Sequence, residues 1–165
     1  MKSIRDIYKI GKGPSSSHTM GPERAAKLFL SEHPEADRIQ VILYGSLSKT
    51  GVGHGTDRVL REVLASVDNK IIYAQEDPED MGHPNTMDFF AYQGETQTGH
   101  FRVESVGGGD IVILGRPADP NEEIYPENSF AEIADFCKWR YIHTLSEYVE
   151  MNEGPEIWDF LREVW

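Results

Sequence analysis

Apolar residues in this chain change their spacing several times, and each spacing predicts a different element. In residues 22–30, alanine, leucine and phenylalanine recur at helical intervals. Pro22 suits the first turn of that helix, Glu23 favours its electropositive end, and Pro34 stops it. Residues 39–45 are dense in aliphatic and β-branched side chains and predict a buried strand. From Thr56, a predicted N-cap, Val59, Leu60, Val63 and Leu64 return to helical spacing as far as Val67. The middle of the chain turns to sheet: residues 87–92, 100–106 and 110–114 read as short strands separated by glycine-bearing turns. Residues 117–121 open a loop of little regularity. From Ser129 the pattern is helical again, over residues 130–137, 145–151 and 156–165, with a break at Gly154-Pro155. Residues 1–10 fit either a short helix or a strand. The sum is a mixed α/β (α+β) fold, one β-sheet with helices packed against it.

The bulk properties narrow the function without naming it. The 165 residues are 39% hydrophobic and 27% charged, enough for one soluble domain with a real core. With 28 acidic against 16 basic side chains the net charge is −12, a field that repels phosphate backbones, so no nucleic-acid partner is expected. No apolar run approaches the ~18–20 residues of a membrane span, so no membrane partner is expected either. The opening residues lack a signal-peptide core. A single cysteine, Cys137, excludes an internal disulfide and suits a reducing, cytoplasmic compartment.

The candidate chemistry lies in polar, glycine-flanked loops. The first is Gly13-Pro14-Ser15-Ser16-Ser17-His18-Thr19-Met20-Gly21-Pro22. One hydroxyl suffices to cap a helix; Ser15, Ser16, Ser17, His18 and Thr19 exceed that need and concentrate donors at a helix N-terminus. The second is Gly51-Val52-Gly53-His54-Gly55-Thr56-Asp57, in which Thr56 and Asp57 also serve the next helix. That does not explain an imidazole between glycines, which let another molecule approach. His54 is the acid/base candidate, with Asp57 as a possible orienter. The third, residues 82–87, presents Asn85 and Thr86 in a turn entering a strand. Val106-Gly107-Gly108-Gly109-Asp110 reads as a tight hairpin. His33 is expected to face solvent, and His100 and His143 to lack polar company. Phe130, Phe136, Tyr141, Tyr148 and Trp158 are expected in the core, as is Cys137. No zinc-ligand spacing, GxSxG elbow or P-loop occurs, and no metal ligand is assigned.

These loops, in this order, resemble the β domain of the bacterial iron–sulfur L-serine dehydratases (L-serine ammonia-lyases, or L-serine deaminases). The resemblance rests on residues 13–22, on Gly53-His54-Gly55-Thr56-Asp57, on His83-Pro84-Asn85-Thr86-Met87 and on Ser105-Val106-Gly107-Gly108-Gly109. Residues 125–130 and 146–150 resemble the stretch that joins β to α domain in fused members. The resemblance implies a lyase of serine catabolism and gluconeogenesis that converts L-serine to pyruvate and ammonia. It implies a [4Fe–4S] cluster held by cysteines of the α domain, a cytoplasmic homodimer, and a fold like the allosteric substrate-binding domain. On that basis His54, Asp57 and Thr56 would be catalytic, and Ser15, Ser16, Ser17, His18, Thr19, Asn85 and Thr86 would bind substrate. Residues 1–127 would form the β core and residues 128–165 a helical segment leading to the absent α domain. The apolar end at Val164-Trp165 fits a chain that continues. A single cysteine cannot hold such a cluster, so the chain alone is expected to be inactive. The alternative is a non-catalytic regulatory module that binds L-serine or another small carboxylate. The absence of arginine from both histidine loops up to Asp57 argues for chemistry over carboxylate sensing.

Overall fold

A computed structural model describes residues 1–117 and 123–165. The chain forms two compact units, one of Gly11–Ala118 and one of Met1–Ile10 with Asp119–Trp165.

The first unit is built on a five-stranded sheet: β1 (Arg38–Leu43), β2 (Asp68–Tyr73), β3 (Thr86–Gln93), β4 (Thr96–Gly107) and β5 (Asp110–Ile113). The strands lie in the order β2-β1-β3-β4-β5; β1 and β2 are parallel and the other neighbours antiparallel. Alternation decides which face is buried. Ile39, Val41 and Leu43 of β1 meet Met87, Phe89 and Ala91 of β3 and Phe101 and Val103 of β4, all at most 4% exposed. Two helices bring the other half of this core, α2 (Gly21–Glu32) through Ala25, Ala26 and Phe29, and α4 (Thr56–Val63) through Leu60. Phe29 sits at the centre, with ring centroids 5.4 Å from Phe89 and 4.7 Å from Phe101.

A strand and an α-helix of this unit escaped the sequence reading. The strand β2, Asp-Asn-Lys-Ile-Ile-Tyr, is an edge strand with a polar start and only half-buried apolar residues, so no dense apolar run marks it. The helix α3 (Gly45–His54) occupies most of what read as the second loop. Its glycines and serines are poor helix formers, but it anchors Leu47 fully in the core, and tertiary packing overrides propensity. Gly55, at φ 76°, ends α3 and starts α4. Thr56 is therefore the first residue of α4 and makes no side-chain cap.

The second unit contains α1 (Ile4–Ile7), α5 (Phe130–Arg140), α6 (Leu145–Glu153) and α7 (Ile157–Val164). The opening segment is thus a single helical turn. Glu153 holds it, accepting from Ser3 Oγ at 2.7 Å, the Ile4 amide at 2.6 Å and the Tyr125 hydroxyl at 2.8 Å. Thr144 and Glu147 form a reciprocal capping box at the start of α6. Of the aromatics expected in the core, Tyr148 is buried, but Phe130 and Tyr141 are 70% and 83% exposed. Tyr141 closes α5 in the left-handed conformation, which turns its side chain out of the helical pattern. The loop expected at residues 117–121 falls, apart from Pro117, outside the described residues.

Candidate active site

The polar loops converge at one end of the sheet. After Leu43 the chain leaves β1 through Tyr44 and enters α3, while β3 starts and β4 ends beside it. Gly45 adopts φ 53° and packs so closely that a Cβ there would lie 2.4 Å from the Pro84 carbonyl oxygen. The neighbouring Ser46 amide donates to that carbonyl at 2.7 Å. The third loop is thereby fastened to the first turn of α3.

The serine loop forms a π-helical turn, Ser16–Met20, that runs directly into α2. Ser15 caps it by accepting from the His18 amide, and the Ser16 carbonyl accepts from the Gly21 amide. The turn places His18, 9% exposed, against α3. His18 Nε2 lies 3.1 Å from both Ser46 Oγ and Thr50 Oγ1, and its Nδ1 lies 3.0 Å from Ser17 Oγ. Burial and, after it, the neighbouring His54 lower the His18 pKa, so the neutral ring is favoured.

His54 lies at the end of α3, half-buried, with its ring centroid 4.6 Å from that of His18. Its Nδ1 donates to the Thr50 carbonyl at 2.9 Å. The group that orients His54 is therefore a backbone carbonyl of its own helix. Asp57 instead stands by Tyr73, whose hydroxyl pKa is raised by burial and then by that carboxylate. A Cβ on Gly53, the residue before His54, would meet nothing within 4 Å.

Three predicted hydroxyls are buried and face backbone. Thr56 donates to the His18 carbonyl at 2.7 Å, Thr19 to the Lys12 and Ser15 carbonyls, and Thr86 to the His83 carbonyl at 2.6 Å. They shape the loops that carry the imidazoles. Asn85 is brought against β4: its Nδ2 donates to the Ser105 carbonyl at 3.4 Å, while its buried Oδ1 has no protein partner. Ser105 Oγ, also buried without a partner, packs against Gly21 at the start of α2.

Sequence reasoning missed Ser46 and Thr50. With His54 they stand at positions i, i+4 and i+8, one face of a helix, a signal visible only once residues 45–54 are read as helical. It also missed a network on the sheet. The Asp88 carboxylate, 3% exposed, accepts from Arg102 Nε and Nη2, both at 2.9 Å, and from the Tyr44 hydroxyl at 3.0 Å. His100, expected to lack polar company, lies 3.3 Å from the same carboxylate. His33, expected in solvent, is largely covered and packs over Phe29 and Gly99.

The profile of the family described as serine dehydratase beta chain matches residues 3–69, which hold the serine loop, all of α3 and His54. The chain belongs to this family. It is 31% identical to L-serine dehydratase 1 of Escherichia coli (strain K12) over 214 aligned positions, which cover 100% of this chain and 47% of that protein. It is 47% identical to an L-serine dehydratase of Mycobacterium bovis (strain ATCC BAA-935 / AF2122/97), over 92% of this chain and 42% of that protein. With an L-serine dehydratase of Haemophilus influenzae (strain ATCC 51907 / DSM 11121 / KW20 / Rd) the identity is 48% over 63 positions, 34% of this chain. The chain spans less than half the length of these relatives.

Proposed function

We propose that this chain is the β part of an L-serine dehydratase and supplies binding and acid/base groups for converting L-serine to pyruvate and ammonia. The observation that carries the proposal is the imidazole pair at the end of the sheet. His54 donates through Nδ1 to a carbonyl, which leaves Nε2 with a lone pair beside the serine-rich turn. That is the arrangement a general base requires. His54 Nε2 would take the Cα proton, and loss of the β-hydroxyl as water would give aminoacrylate, which hydrolyses to pyruvate and ammonia. Ser15 would offer its hydroxyl and Ser17 its hydroxyl oxygen, as an acceptor, to the substrate, with Ser16, Thr19 and Thr86 shaping the same walls and Thr56 holding the turn through His18. Asn85 Oδ1, an acceptor without a protein partner, has the chemistry an ammonium group seeks. Asp57 would act on this site through the start of α4.

The [4Fe–4S] cluster implied by the family resemblance does not fit the donors of this chain. Cys137 is its one cysteine, and among the described residues no three His, Cys, Asp or Glu side chains are grouped to hold a metal. The proposal places the cluster in the remaining half of the longer protein, an α domain or subunit. The division at residues 127 and 128, a homodimer, a cytoplasmic location and a role in serine catabolism toward gluconeogenesis belong to the same proposal. Among the described residues no helix is long and apolar enough to cross a membrane.

The test is pyruvate release from L-serine, under anaerobic conditions, by the chain joined to its cluster-bearing partner. His54→Ala should lower kcat by roughly 10²–10⁴-fold with iron content unchanged. A variant with near wild-type kcat removes His54 from the chemistry. Wild-type inactivity with a loaded cluster would favour a module that binds a small carboxylate and does no chemistry.

A further inference from the structure

We propose that Thr50 is a positioning residue that sets the two imidazoles in opposite tautomers, so that each presents its lone pair on a different side. The inference deepens the reading of His54 as a proton carrier and rests on it.

The protons on these groups can be counted. The Thr50 hydroxyl has one, and it goes to the Ser46 carbonyl one turn back, at 2.8 Å. Toward His18 Nε2, at 3.1 Å, Thr50 Oγ1 can then only accept, so Nε2 carries the ring proton. The Ser46 hydroxyl fits the same scheme: it accepts from His18 Nε2 at 3.1 Å and turns its own proton toward Thr50 Oγ1 at 3.5 Å. A proton on Nε2 of a neutral ring leaves Nδ1 as an acceptor, 3.0 Å from Ser17 Oγ. The Ser17 hydroxyl therefore donates to His18.

The same residue fixes the other ring in the reverse sense. The Thr50 carbonyl can only accept, so His54 Nδ1 carries the proton and Nε2 the lone pair. One residue thus holds His18 as its Nε2–H tautomer through its side chain and His54 as its Nδ1–H tautomer through its backbone. The consequence is a division of labour. His54 can receive a proton, while His18 polarises the Ser17 hydroxyl and is itself held on two sides.

The two halves of this device can be separated by substitution. Thr50→Val keeps the β-branched shape and the carbonyl but removes the hydroxyl. Ser46 then becomes free to donate to His18 Nε2, and His18 should move to its Nδ1–H tautomer while His54 stays as it is. Thr50→Ser restores the hydroxyl and should restore the Nε2–H form. Histidine side-chain 15N NMR on the whole chain reads each tautomer directly, by which nitrogen is protonated. The expected result is an Nε2–H His18 and an Nδ1–H His54 in the wild type, with only His18 changed in Thr50→Val. In the cluster-loaded enzyme, Thr50→Val should lower kcat on the order of tenfold or more, as for a displaced catalytic group, and Thr50→Ser should recover most of it. The proposal is overturned if wild-type His18 carries its proton on Nδ1, or if Thr50→Val leaves both tautomers as they were. The wild-type spectrum alone can do this, so a variant that fails to fold does not protect the idea. The expected tautomers in a wild-type enzyme that makes no pyruvate would sink the proposed activity and leave the positioning of the two rings standing.

Discussion

A buried imidazole is stable only if both of its nitrogens find partners, and His18 finds four hydroxyls within 3.4 Å. Two of them, Ser15 and Ser17, belong to the serine loop and could be named without a structure; Ser46 and Thr50 belong to a helix the sequence hid. What brings that helix in is Gly45. Its φ of 53° disfavours any side chain, and the Pro84 carbonyl fills the space a Cβ would need. Both penalties act on one substitution, because the obstacle is backbone and cannot swing aside. Gly45→Ala should therefore cost roughly 2–3 kcal/mol, measured as a shift in the urea midpoint at constant slope. It should also pull Ser46 away from His18. A midpoint within error of wild type would mean that the Pro84 turn yields easily and does not fix α3.

At the scale of elements, legibility followed the strength of the apolar pattern. Helix α2 and strands β1, β3 and β4 carry the core residues Phe29, Val41, Phe89 and Val103, and their periods reveal them. The Gly107-Gly108-Gly109 hairpin was legible from its glycines. Strand β2 and helix α3 were not. In both, long-range contacts supply what local sequence lacks. For α3 the contact is specific: Tyr44 provides no cap, and Asp77, from the segment after β2, accepts from the Gly45 amide at 2.7 Å and lies 3.6 Å from Lys49. A cap delivered from 32 positions away cannot be read as a capping motif. The candidate site was legible as a list of loops, and its hydrogen-bond partners were not, since half of them sit on this helix. Asp77→Ala should cost about 1 kcal/mol, as for loss of a helix cap. Amide exchange should accelerate at Gly45 and Ser46 and remain unchanged in β1. Equal acceleration throughout the sheet would show that Asp77 supports the whole fold and not the start of α3.

On the scale of the whole molecule, the two units carry different titrating groups, and this predicts different responses to pH. In Gly11–Ala118, His18 is lowered from its ordinary 6.5 by burial and then by His54. Asp88 is pushed up by burial but ends lowered, because Arg102 and Tyr44 hydrogen-bond its charged form. All such groups bind protons more weakly folded than unfolded. Their stabilisation is present above the unfolded pKa and is lost as pH falls, first for His18 below about 6.5 and then for Asp88 below about 4. In the other unit, Glu153 is lowered, with burial opposed by its bonds from Ser3, Ile4 and Tyr125, while Tyr125 and Tyr148 are raised by burial and by Glu153 and Glu127. A raised tyrosine gives stability that is complete below its unfolded pKa, about 10, and is lost as pH rises above it. All three tryptophans, Trp139, Trp158 and Trp165, lie in this second unit, so their fluorescence follows it alone. Methyl NMR signals of Val41 and Leu43 follow the sheet. Between pH 7 and 5 the urea midpoint read from those methyls should decline, and His18→Asn should abolish the decline. The tryptophan midpoint should hold over that range and fall above about pH 10. A methyl midpoint that stays level to pH 5, or declines equally in His18→Asn, would show that the buried imidazole does not couple folding to pH. In that case the neutral His18 on which the paired tautomers depend would have to be held by its hydroxyl partners alone.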